Sequence, residues 1–536
     1  MTVSIKNTTA ILLTTLALLT VLAYFGSLHN GFVWDDNDII VNNRVNRDIG
    51  NIATIFRSAD TVFADEPGAY YRPINRLTYL MDYQVYGLKP FGYHVENLLL
   101  HILTLFALFF MTLRVSGSRV TAYVASLLCA LHPINVEAVN FISGGRNTIL
   151  ATLFTIATFL VWERWRAGES DRICWQAGAL FFLGILSKEP AFMLFPFLVI
   201  REITTVNSRG QWGRVGRIFV PFVIASGIYL AVRTIVLSGV IAGTPTPIGA
   251  WQRLMQLVYI IPNYLLNILL PVRLCSNYHV PLHFQDRLPL LIAVCGLLVL
   301  VVVLLLKSGR PTTRFGLLWL AINFIPIAHI VPIPSAPMAD RYLYLPVIGI
   351  WLILADGASA LFDRPRVRVW LTVTALFVFA ALGMLSWQYS RTWRDDVSLN
   401  FRILQVEPNS VFALYNLGGA YKTRGELDKA AVIWQRVIEL APSHSRALNQ
   451  LGIYYLLKGA APQALDYLNR AIAANPRNAV VHYNRGIVFE AFGRPADAVE
   501  AYREFLSIVP PEHINLVPMI QAKITTLSRL PRKELP

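Results

Sequence analysis

Long apolar stretches recur through the first 390 residues of this chain, and they constrain its fold more than any other feature. Of its 536 residues, 55% are hydrophobic and only 15% are charged, which is typical of a polytopic membrane protein. Because the lipid interior offers no hydrogen-bond partners, a backbone that crosses it must satisfy its own polar groups. The sequence therefore predicts an all-α bundle of membrane helices.

Eleven of these stretches are predicted to cross the membrane, since a helix needs about 20 apolar residues to span a hydrocarbon core of about 30 Å. They lie at 10–27, 95–113, 120–136, 148–162, 173–187, 189–201, 217–238, 289–306, 315–332, 343–361 and 370–388. The stretch 189–201 is short and is expected to form a tight hairpin with 173–187. A twelfth stretch, 253–270, is predicted to be re-entrant or interfacial, because a further crossing there would put Arg310 or the first loop on the wrong side.

The net charge of +15 raises the question of nucleic-acid binding, but its distribution indicates membrane topology instead. The basic residues cluster in short loops at 114–119, 164–172, 201–217, 307–314 and 364–368. Placing these loops in the cytoplasm satisfies the positive-inside rule, so no nucleic-acid partner is predicted. Lys6 precedes the first stretch and no cleavage site follows it, so the amino terminus is also predicted to be cytoplasmic. The loop 28–94 and the chain after residue 390 then lie outside.

Residues 408–536 carry an internal repeat. Prolines, two sets of glycines and one set of alanines recur every 34 residues: Pro408, Pro442, Pro476 and Pro510; Gly418, Gly452 and Gly486; Gly425, Gly459 and Gly493; Ala430, Ala464 and Ala498. Small residues let two helices of a hairpin approach and proline ends the second helix, as in tetratricopeptide (TPR) repeats. Three repeats are predicted, at 408–441, 442–475 and 476–509, with a capping helix at 511–530.

The chain is thus predicted to divide into a membrane domain, 1–390, a hinge, 391–407, and an external TPR domain, 408–536. The TPR α-solenoid has a groove that is typical of peptide-binding or oligomerising surfaces, with a passive spacer as the alternative. The short repeat array and the lack of eukaryotic targeting signals favour a bacterial inner membrane.

Polar motifs gather where the predicted spans reach the outer face. The loop 28–94 contributes Trp34-Asp35-Asp36, Tyr70-Tyr71-Arg72-Pro73 and, at its end, His94. Later span ends contribute His132-Pro133-Ile134-Asn135-Val136-Glu137 with Gly145-Arg146, Ser187-Lys188-Glu189, and Asp340-Arg341-Tyr342. Charges at a membrane are costly unless they pair or face a wet cavity. Their convergence predicts a site at the membrane surface.

In this order, the motifs resemble those of the transmembrane and TPR-containing protein O-mannosyltransferases of animals and their bacterial relatives. The resemblance covers nearly the whole chain. It implies the type-C glycosyltransferase (GT-C) fold, an acidic catalytic residue in the first external loop, and a sugar donor activated on a polyprenyl phosphate. Two departures concern the acceptor: animal members carry many more repeats, and Cys275-Ser276-Asn277-Tyr278 follows Pro271 where an acid is often found.

The resemblance also implies roles for individual residues. Either Asp35 or Asp36 accepts the proton of the acceptor hydroxyl, with Asp35 favoured and Asp36 as an orienting group or metal ligand. Four cations are candidates for binding the donor phosphate, namely Arg341, Arg146, Lys188 and Arg72. Six side chains are expected to support them: Glu137, Glu189, Asp340, His94, His132 and Tyr342.

Structural interpretations of the same residues stay open. The run Asp35-Asp36-Asn37-Asp38 is compatible with a helix cap, a turn or a cation loop, although it lacks the glycine and glutamate of an EF-hand. Lys188-Glu189 and Asp340-Arg341 fit structural ion pairs, the histidines fit interfacial hydrogen bonds, and Tyr342 and Trp393 fit the aromatic belt. A divalent metal is left open. The cysteines lack metal-ligand spacing, so neither zinc nor disulfides are predicted for Cys129, Cys174, Cys275 and Cys295.

The predicted function is a membrane glycosyltransferase. It transfers mannose or a similar hexose from a polyprenyl phosphate to a hydroxyl, with inversion, and the expected acceptor is a serine or threonine of a protein held by the TPR groove. The first alternative is a non-enzymatic membrane scaffold, but a scaffold would not require acids and bases to gather at the span ends. A transporter or flippase of lipid-linked sugars, the second, would place charges at mid-bilayer and show inverted repeats.

Overall fold

The computed structural model describes residues 2–59, 70–170, 172–205, 212–237, 249–281, 288–328, 337–509 and 511–529. Every regular element in these residues is helical, which confirms the predicted all-α class. The chain divides into two compact units, Met1–Asp395 and Asp396–Pro536.

The first unit contains fifteen α-helices among the described residues. They are α1 (Thr2–Tyr24), α2 (Ile52–Arg57), α3 (Pro73–Tyr86), α4 (Pro90–Ser116), α5 (Arg119–Leu131), α6 (Val136–Asn140), α7 (Ile142–Arg166), α8 (Ile173–Ser187), α9 (Leu194–Thr205), α10 (Trp212–Val236), α11 (Ala250–Leu269), α12 (Leu288–Lys307), α13 (Pro311–Phe324), α14 (Ile348–Phe362) and α15 (Pro365–Ser390). Each predicted apolar stretch coincides with at least one of them.

Six described helices are long and apolar enough to cross a membrane: α1, α4, α7, α10, α12 and α15. The pair α5 and α6, bent by 58°, makes a seventh if it is counted as one span. The expected count of eleven is larger because it includes α8, α9, α13 and α14, which have 12 to 15 residues. A 15-residue helix is only about 22 Å long, which is short of the hydrocarbon core. The chain is nevertheless a multi-pass membrane protein.

Proline explains why these helices are shorter than the apolar stretches. It lacks an amide hydrogen and interrupts an α-helix. Pro190 lies in a 3₁₀ turn before α9, Pro326 lies in one that follows α13, and Pro346 precedes α14. Residues 329–332 of one predicted span lie outside the described residues. Helix α11 covers the stretch 253–270, and how it meets the membrane stays a prediction.

The basic loops lie at one end of the bundle, as the positive-inside argument requires. Four contacts connect them with each other and with the end of α14: Arg114–Glu163 at 3.5 Å, Arg201–Glu163 at 2.5 Å, Ser118–Ser359 at 3.3 Å and Arg310–Asp356 at 3.7 Å. The loop 364–368 directly follows α14, and residues 206–211 lie outside the described residues. Which side of the membrane this end faces stays a prediction.

The start of the first loop lies at the other end of the bundle, away from the basic loops. Asn30 Nδ2 donates to Asn140 Oδ1 at 2.8 Å and to the Ser390 carbonyl at 3.1 Å, which ties the loop to α6 and to the end of α15. The amide of Gly31 donates to the Arg394 carbonyl at 2.9 Å. These bonds fix the backbone a few residues before the acidic motif. Residues 60–69 of the loop lie outside the described residues.

The second unit is a series of helical hairpins. Its helices are α16 (Asp396–Val406), α17 (Val411–Thr423), α18 (Leu427–Leu440), α19 (Ser445–Leu457), α20 (Ala461–Ala474), α21 (Ala479–Ala491), α22 (Pro495–Ser507) and α23 (Val517–Leu527). Three hairpins begin at Val411, Ser445 and Ala479, which reproduces the period of 34 residues. Much of the segment 391–407, which the sequence predicted to be a hinge, is helical. Pro510, the last repeated proline, lies outside the described residues.

Glycine sets the distance between the two helices of each hairpin. A Cβ on Gly418 would overlap the indole of Trp434, and one on Gly452 would lie 2.6 Å from Leu468 Cγ. Between the helices, Gly425 and Gly459 adopt positive φ angles of 78° and 73°, which other residues rarely adopt. The repeated small residues therefore act as the sequence predicted.

We expect Gly418→Ala to destabilise the first hairpin by about 1–3 kcal/mol, because the added methyl group has no space beside Trp434. Gly419→Ala is the matched control. Nothing lies within 4 Å of its Cβ position, so replacing a helical glycine there should stabilise α17 by about 0.5–1 kcal/mol. Hydrogen exchange of residues 411–440 measures both effects, and equal exchange in the two variants would contradict the close packing of this hairpin.

Candidate active site

A strained backbone presents the acidic motif. Trp34 has a φ of 51°, and among the described residues it alone combines a positive φ with a side chain. This conformation costs about 1–2 kcal/mol and persists only where the surroundings impose it. The Trp34 indole packs edge-on against Phe141 at 5.8 Å and Trp393 at 5.9 Å between ring centroids. Trp393 is buried in this aromatic cluster, which contradicts its assignment to a membrane-facing belt.

The carboxylate of Asp36 is an internal anchor. It is fully buried, and it accepts hydrogen bonds from the amides of Ser143 at 2.7 Å and Val33 at 3.2 Å. Ser143 lies in the first turn of α7, where unpaired amides and the helix dipole favour an anion. Burial raises the pKa of Asp36 to about 7 although these hydrogen bonds lower it. Both oxygens are thus engaged in holding the loop on α7.

The neighbouring carboxylate of Asp35 is in a different situation. Its side chain is partly exposed, and it makes no hydrogen bond or ion pair with any residue that the structure describes. Burial raises the pKa of Asp35 to about 6, and the positive charge of Arg341 opposes that rise. Asp35 therefore lies within the electrostatic reach of Arg341 and keeps its oxygens available.

Arg341 is held by Glu137. The Arg341 guanidinium donates to Glu137 Oε1, and the Arg341 amide donates to Glu137 Oε2 at 2.9 Å. The guanidinium also lies over the rings of Tyr342 and Phe141, at 4.9 Å and 5.6 Å from their centroids. Glu137 is completely buried and Arg341 is 13% exposed. This arrangement fixes a planar cation with one edge turned outward.

Lys188 and Arg72 bring two further cations to the same region. Lys188 is buried, donates to Thr148 Oγ1 at 2.6 Å, and lies 5.9 Å from the ring centroid of Tyr342. Arg72 is paired with Glu189 at 2.8 Å. Because Glu189 follows Lys188 directly, this pair connects the end of the loop 28–94, at the start of α3, to the end of α8.

Arg341 and Lys188 border a small cleft. It lies where the start of α7, the end of α8, the end of α13 and the segment before α14 meet. The described residues that line it are Thr148, Ala151, Thr152, Lys188, Pro190, Asn323, Pro326, Ile327, Arg341, Tyr342, Leu345 and Pro346. Cations and hydroxyls thus share the cleft with apolar side chains.

Arg146 is built into the interior instead of the cleft. Its guanidinium, which is completely buried, contacts Asp82 Oδ2 at 2.5 Å, Asn97 Oδ1 at 2.6 Å and the carbonyl of Tyr93 at 2.9 Å. These partners lie on α3 and α4. The residue joins three helices, and its donors are used by protein acceptors.

Two predicted supporting residues, Asp340 and His132, also have structural partners. Asp340 does not pair with Arg341, since its carboxylate accepts from the hydroxyls of Tyr278 at 2.7 Å and Tyr389 at 3.3 Å. His132 caps a 3₁₀ turn through the amide of Ile134 and bonds to the carbonyl of Ile268. His94 is buried on α4. Among the described residues, no three His, Cys, Asp or Glu side chains gather as metal ligands.

Comparison with known proteins finds the repeats of the second unit and relatives of nearly the whole chain. A tetratricopeptide repeat family model matches residues 415–479 and 450–513, which confirms the predicted repeats. The human protein O-mannosyl-transferase TMTC3 is 23% identical over 91% of this chain, and the Caenorhabditis elegans protein O-mannosyl-transferase F38B6.6 is 26% identical over 80%. The chain is a homologue of the TMTC protein O-mannosyl-transferases. It spans 59% of the length of human TMTC3 and 62% of the nematode protein.

Two crystal structures of MamA each match a quarter of the chain. A crystal structure of MamA protein covers 25% of this chain and 75% of its own, at 26% identity. Its TM-score is 0.21, so it carries no argument about the fold. The family assignment of this TMTC homologue therefore comes from its sequence relatives.

Sequence reasoning missed several residues that shape the site of this TMTC homologue. Phe141 contacts Trp34, Trp393 and Arg341, although it carries no chemical group that would single it out. Tyr278 holds Asp340, and the sequence marked it only as part of a departure from the family pattern. Their partners lie more than 60 residues away along the chain, so no local spacing reveals these contacts.

We expect Glu137→Gln to lower the stability of the first unit by about 3 kcal/mol, because it leaves the Arg341 guanidinium unpaired in a largely buried place. Glu169→Gln is the control, since its pair with Arg164 is exposed and should contribute nothing measurable. Thermal unfolding in detergent compares the two variants with the wild type. Equal unfolding temperatures would contradict a structural role for the buried pair.

Proposed function

We propose that this chain is a membrane glycosyltransferase that moves a mannosyl group from a polyprenyl phosphate to the hydroxyl of a protein serine or threonine. Its relatives are named protein O-mannosyl-transferases, which supports the sugar and the protein acceptor. The observation that carries the proposal is the position of the unpaired carboxylate of Asp35. Asp35 follows Trp34, whose ring packs on Phe141, and the guanidinium of Arg341 lies over that same Phe141 ring. A base and a phosphate-binding cation are the two groups that such a transfer needs.

The reaction proceeds with inversion. The acceptor oxygen attacks the anomeric carbon and forms the new glycosidic bond, while the bond between that carbon and the phosphate oxygen breaks on the opposite face. The bonding electrons leave with the lipid phosphate, and the hydroxyl proton passes to Asp35. Because a carboxylate is a weak base for an alcohol, this proton moves late in the step.

Stabilisation of the departing phosphate then supplies much of the rate enhancement. Arg341 offers a planar guanidinium whose orientation is set by Glu137. Lys188 offers an amine near the ring of Tyr342; burial lowers the pKa of Lys188, and an anionic phosphate beside it would favour the charged form. Tyr342 presents its ring to both cations. Arg72 and its partner Glu189 lie further toward the first loop and support the position of Lys188.

Asp36 and Arg146 take framework roles in this proposal. The carboxylate of Asp36 is committed to two backbone amides, and the guanidinium of Arg146 to Asp82, Asn97 and a carbonyl. Neither group is available to a substrate without breaking these contacts. Both instead fix the segments on which Asp35 and the cleft depend.

The proposal also assigns a place in the cell. The end of the bundle with the basic loops faces the cytoplasm of a bacterial inner membrane, so the cleft opens on the extracytoplasmic face. The TPR unit holds the acceptor protein there, since TPR grooves take extended or helical peptides.

Asp35→Asn should reduce transfer by about 10²- to 10⁴-fold, because the amide cannot accept the proton. The measurement is the transfer of labelled mannose from polyprenyl-phosphate mannose to protein by the purified enzyme. Asp36→Asn is the comparison, and we expect it to lower the unfolding temperature more than Asp35→Asn does. The opposite result would make Asp36 the base. In that case Asp35→Asn stays active, and Asp36→Asn loses transfer although its stability is unchanged.

The pH profile gives a second test of the base. Asp35 acts when deprotonated, and its raised pKa of about 6 means that kcat/KM should fall as the pH drops below about 6 and level off above it. The donor is a phosphodiester and does not titrate in this range. If Asp36 were the base, the fall would begin near pH 7 instead. A rate independent of pH between 5 and 8 would exclude both.

A further inference from the structure

The end of the bundle with the basic loops carries an exposed cluster of cations. This basic patch consists of Lys307, Arg310, Arg314, Arg364, Arg366 and Arg368. Three hydrogen bonds to backbone carbonyls hold its segments together: Arg314 Nη2 to Leu306 at 3.4 Å, Arg310 Nη1 to Asp356 at 3.2 Å, and Arg368 Nε to Phe362 at 3.2 Å. The end of α12, the start of α13, the end of α14 and the start of α15 thus form one surface.

Acidic side chains do not balance the charge of the basic patch. Asp356 is partly buried and lies 3.7 Å from Arg310, and Asp363 is the other acid of this surface. Six cations thus face two acids. Three side chains of the patch make no hydrogen bond or ion pair with any residue that the structure describes: Lys307, Arg364 and Arg366.

The arginines of the patch also oppose the dipoles of the helices that carry them. The positive end of a helix favours acids in the first turn, and Ser, Thr, Asp or Asn as the capping residue. Helices α13 and α15 begin instead with Arg310-Pro311 and Arg364-Pro365, and neither has a side-chain cap or an acid in its first turn. Because an external anion would relieve this repulsion, the arrangement favours an anionic partner.

The surfaces beside the patch indicate that this partner is a lipid. Helices α12 and α15 are apolar and almost entirely exposed in the first unit, so lipid chains cover them in a membrane. Lys307 ends α12 and Arg364 precedes α15, which puts both cations level with the headgroups of those lipids. Trp370, in the second turn of α15, is 75% exposed, and tryptophan is enriched at headgroup level.

We propose that the basic patch binds the headgroups of anionic phospholipids whose chains lie along α12 and α15. Clusters of about four to eight Lys or Arg residues beside a membrane helix attract anionic lipids by charge. Arginine adds bidentate hydrogen bonds to the phosphate. The lipids belong to the leaflet at this end of the bundle. This binding is independent of the proposed sugar transfer.

Native mass spectrometry tests the inference on the purified full chain, mixed with equal amounts of phosphatidylglycerol and phosphatidylcholine that carry the same acyl chains. We expect the wild type to bind phosphatidylglycerol preferentially. The preference should fall about 10- to 100-fold in the triple variant Lys307→Gln, Arg364→Gln, Arg366→Gln. Because these side chains bond to no described residue, the variant should keep the fold.

The matched control removes the same three charges from the second unit, with Lys429→Gln, Arg436→Gln and Arg470→Gln. These side chains are exposed and pair with acids three or four residues away, and the lipid preference of this variant should equal that of the wild type.

Two further variants keep the inference testable. Arg364→Lys with Arg366→Lys retains the charge and should retain the preference. Arg366→Gln alone decides the question if the triple variant does not fold, and it should lower the preference about 2- to 5-fold. A wild type that binds both lipids equally, or a triple variant with the wild-type preference, would overturn the inference.

Discussion

The site depends on one buried ion pair, Glu137 with Arg341. Placing two charges away from water is costly unless geometry and additional hydrogen bonds compensate, and here Glu137 binds both the guanidinium and the backbone amide of Arg341. The pair joins α6 to the segment before α14, which also carries Tyr342. Because Tyr342 in turn lies under Lys188, the position of the second cation follows from the first.

Environment separates two adjacent aspartates that are chemically identical. Asp36 caps the start of α7 and both of its oxygens accept from backbone amides, whereas Asp35 bonds to neither amide and the charge of Arg341 lowers its pKa. The strained backbone of Trp34, which Phe141 and Trp393 hold in place, gives the two carboxylates their different surroundings. The energy of the aromatic contacts therefore maintains a conformation that the loop alone would not adopt.

Hydropathy and the period of 34 residues were sufficient to predict the helical class, the repeats and the grouping of the basic loops. They did not give helix lengths, because Pro190, Pro326 and Pro346 interrupt stretches that are apolar throughout. Sequence motifs also named Glu137, which binds Arg341, but they placed Asp340 beside Arg341 and Glu189 beside Lys188, whereas Asp340 binds two tyrosines and Glu189 binds Arg72. They could not separate Arg146 from these cations, since its partners Asp82 and Asn97 lie 64 and 49 residues away and only folding brings them together.

The groups without protein partners are the most informative part of the cleft region. Among the described residues, the carboxylate of Asp35 has no hydrogen-bond partner, and two basic side chains, Arg341 and Lys188, line the cleft. Acceptors attract hydroxyl groups and cations attract phosphate, so this set of charges and acceptors is complementary to a sugar phosphate beside an alcohol. A structural network would instead satisfy its members internally, as Arg146 and Asp340 do.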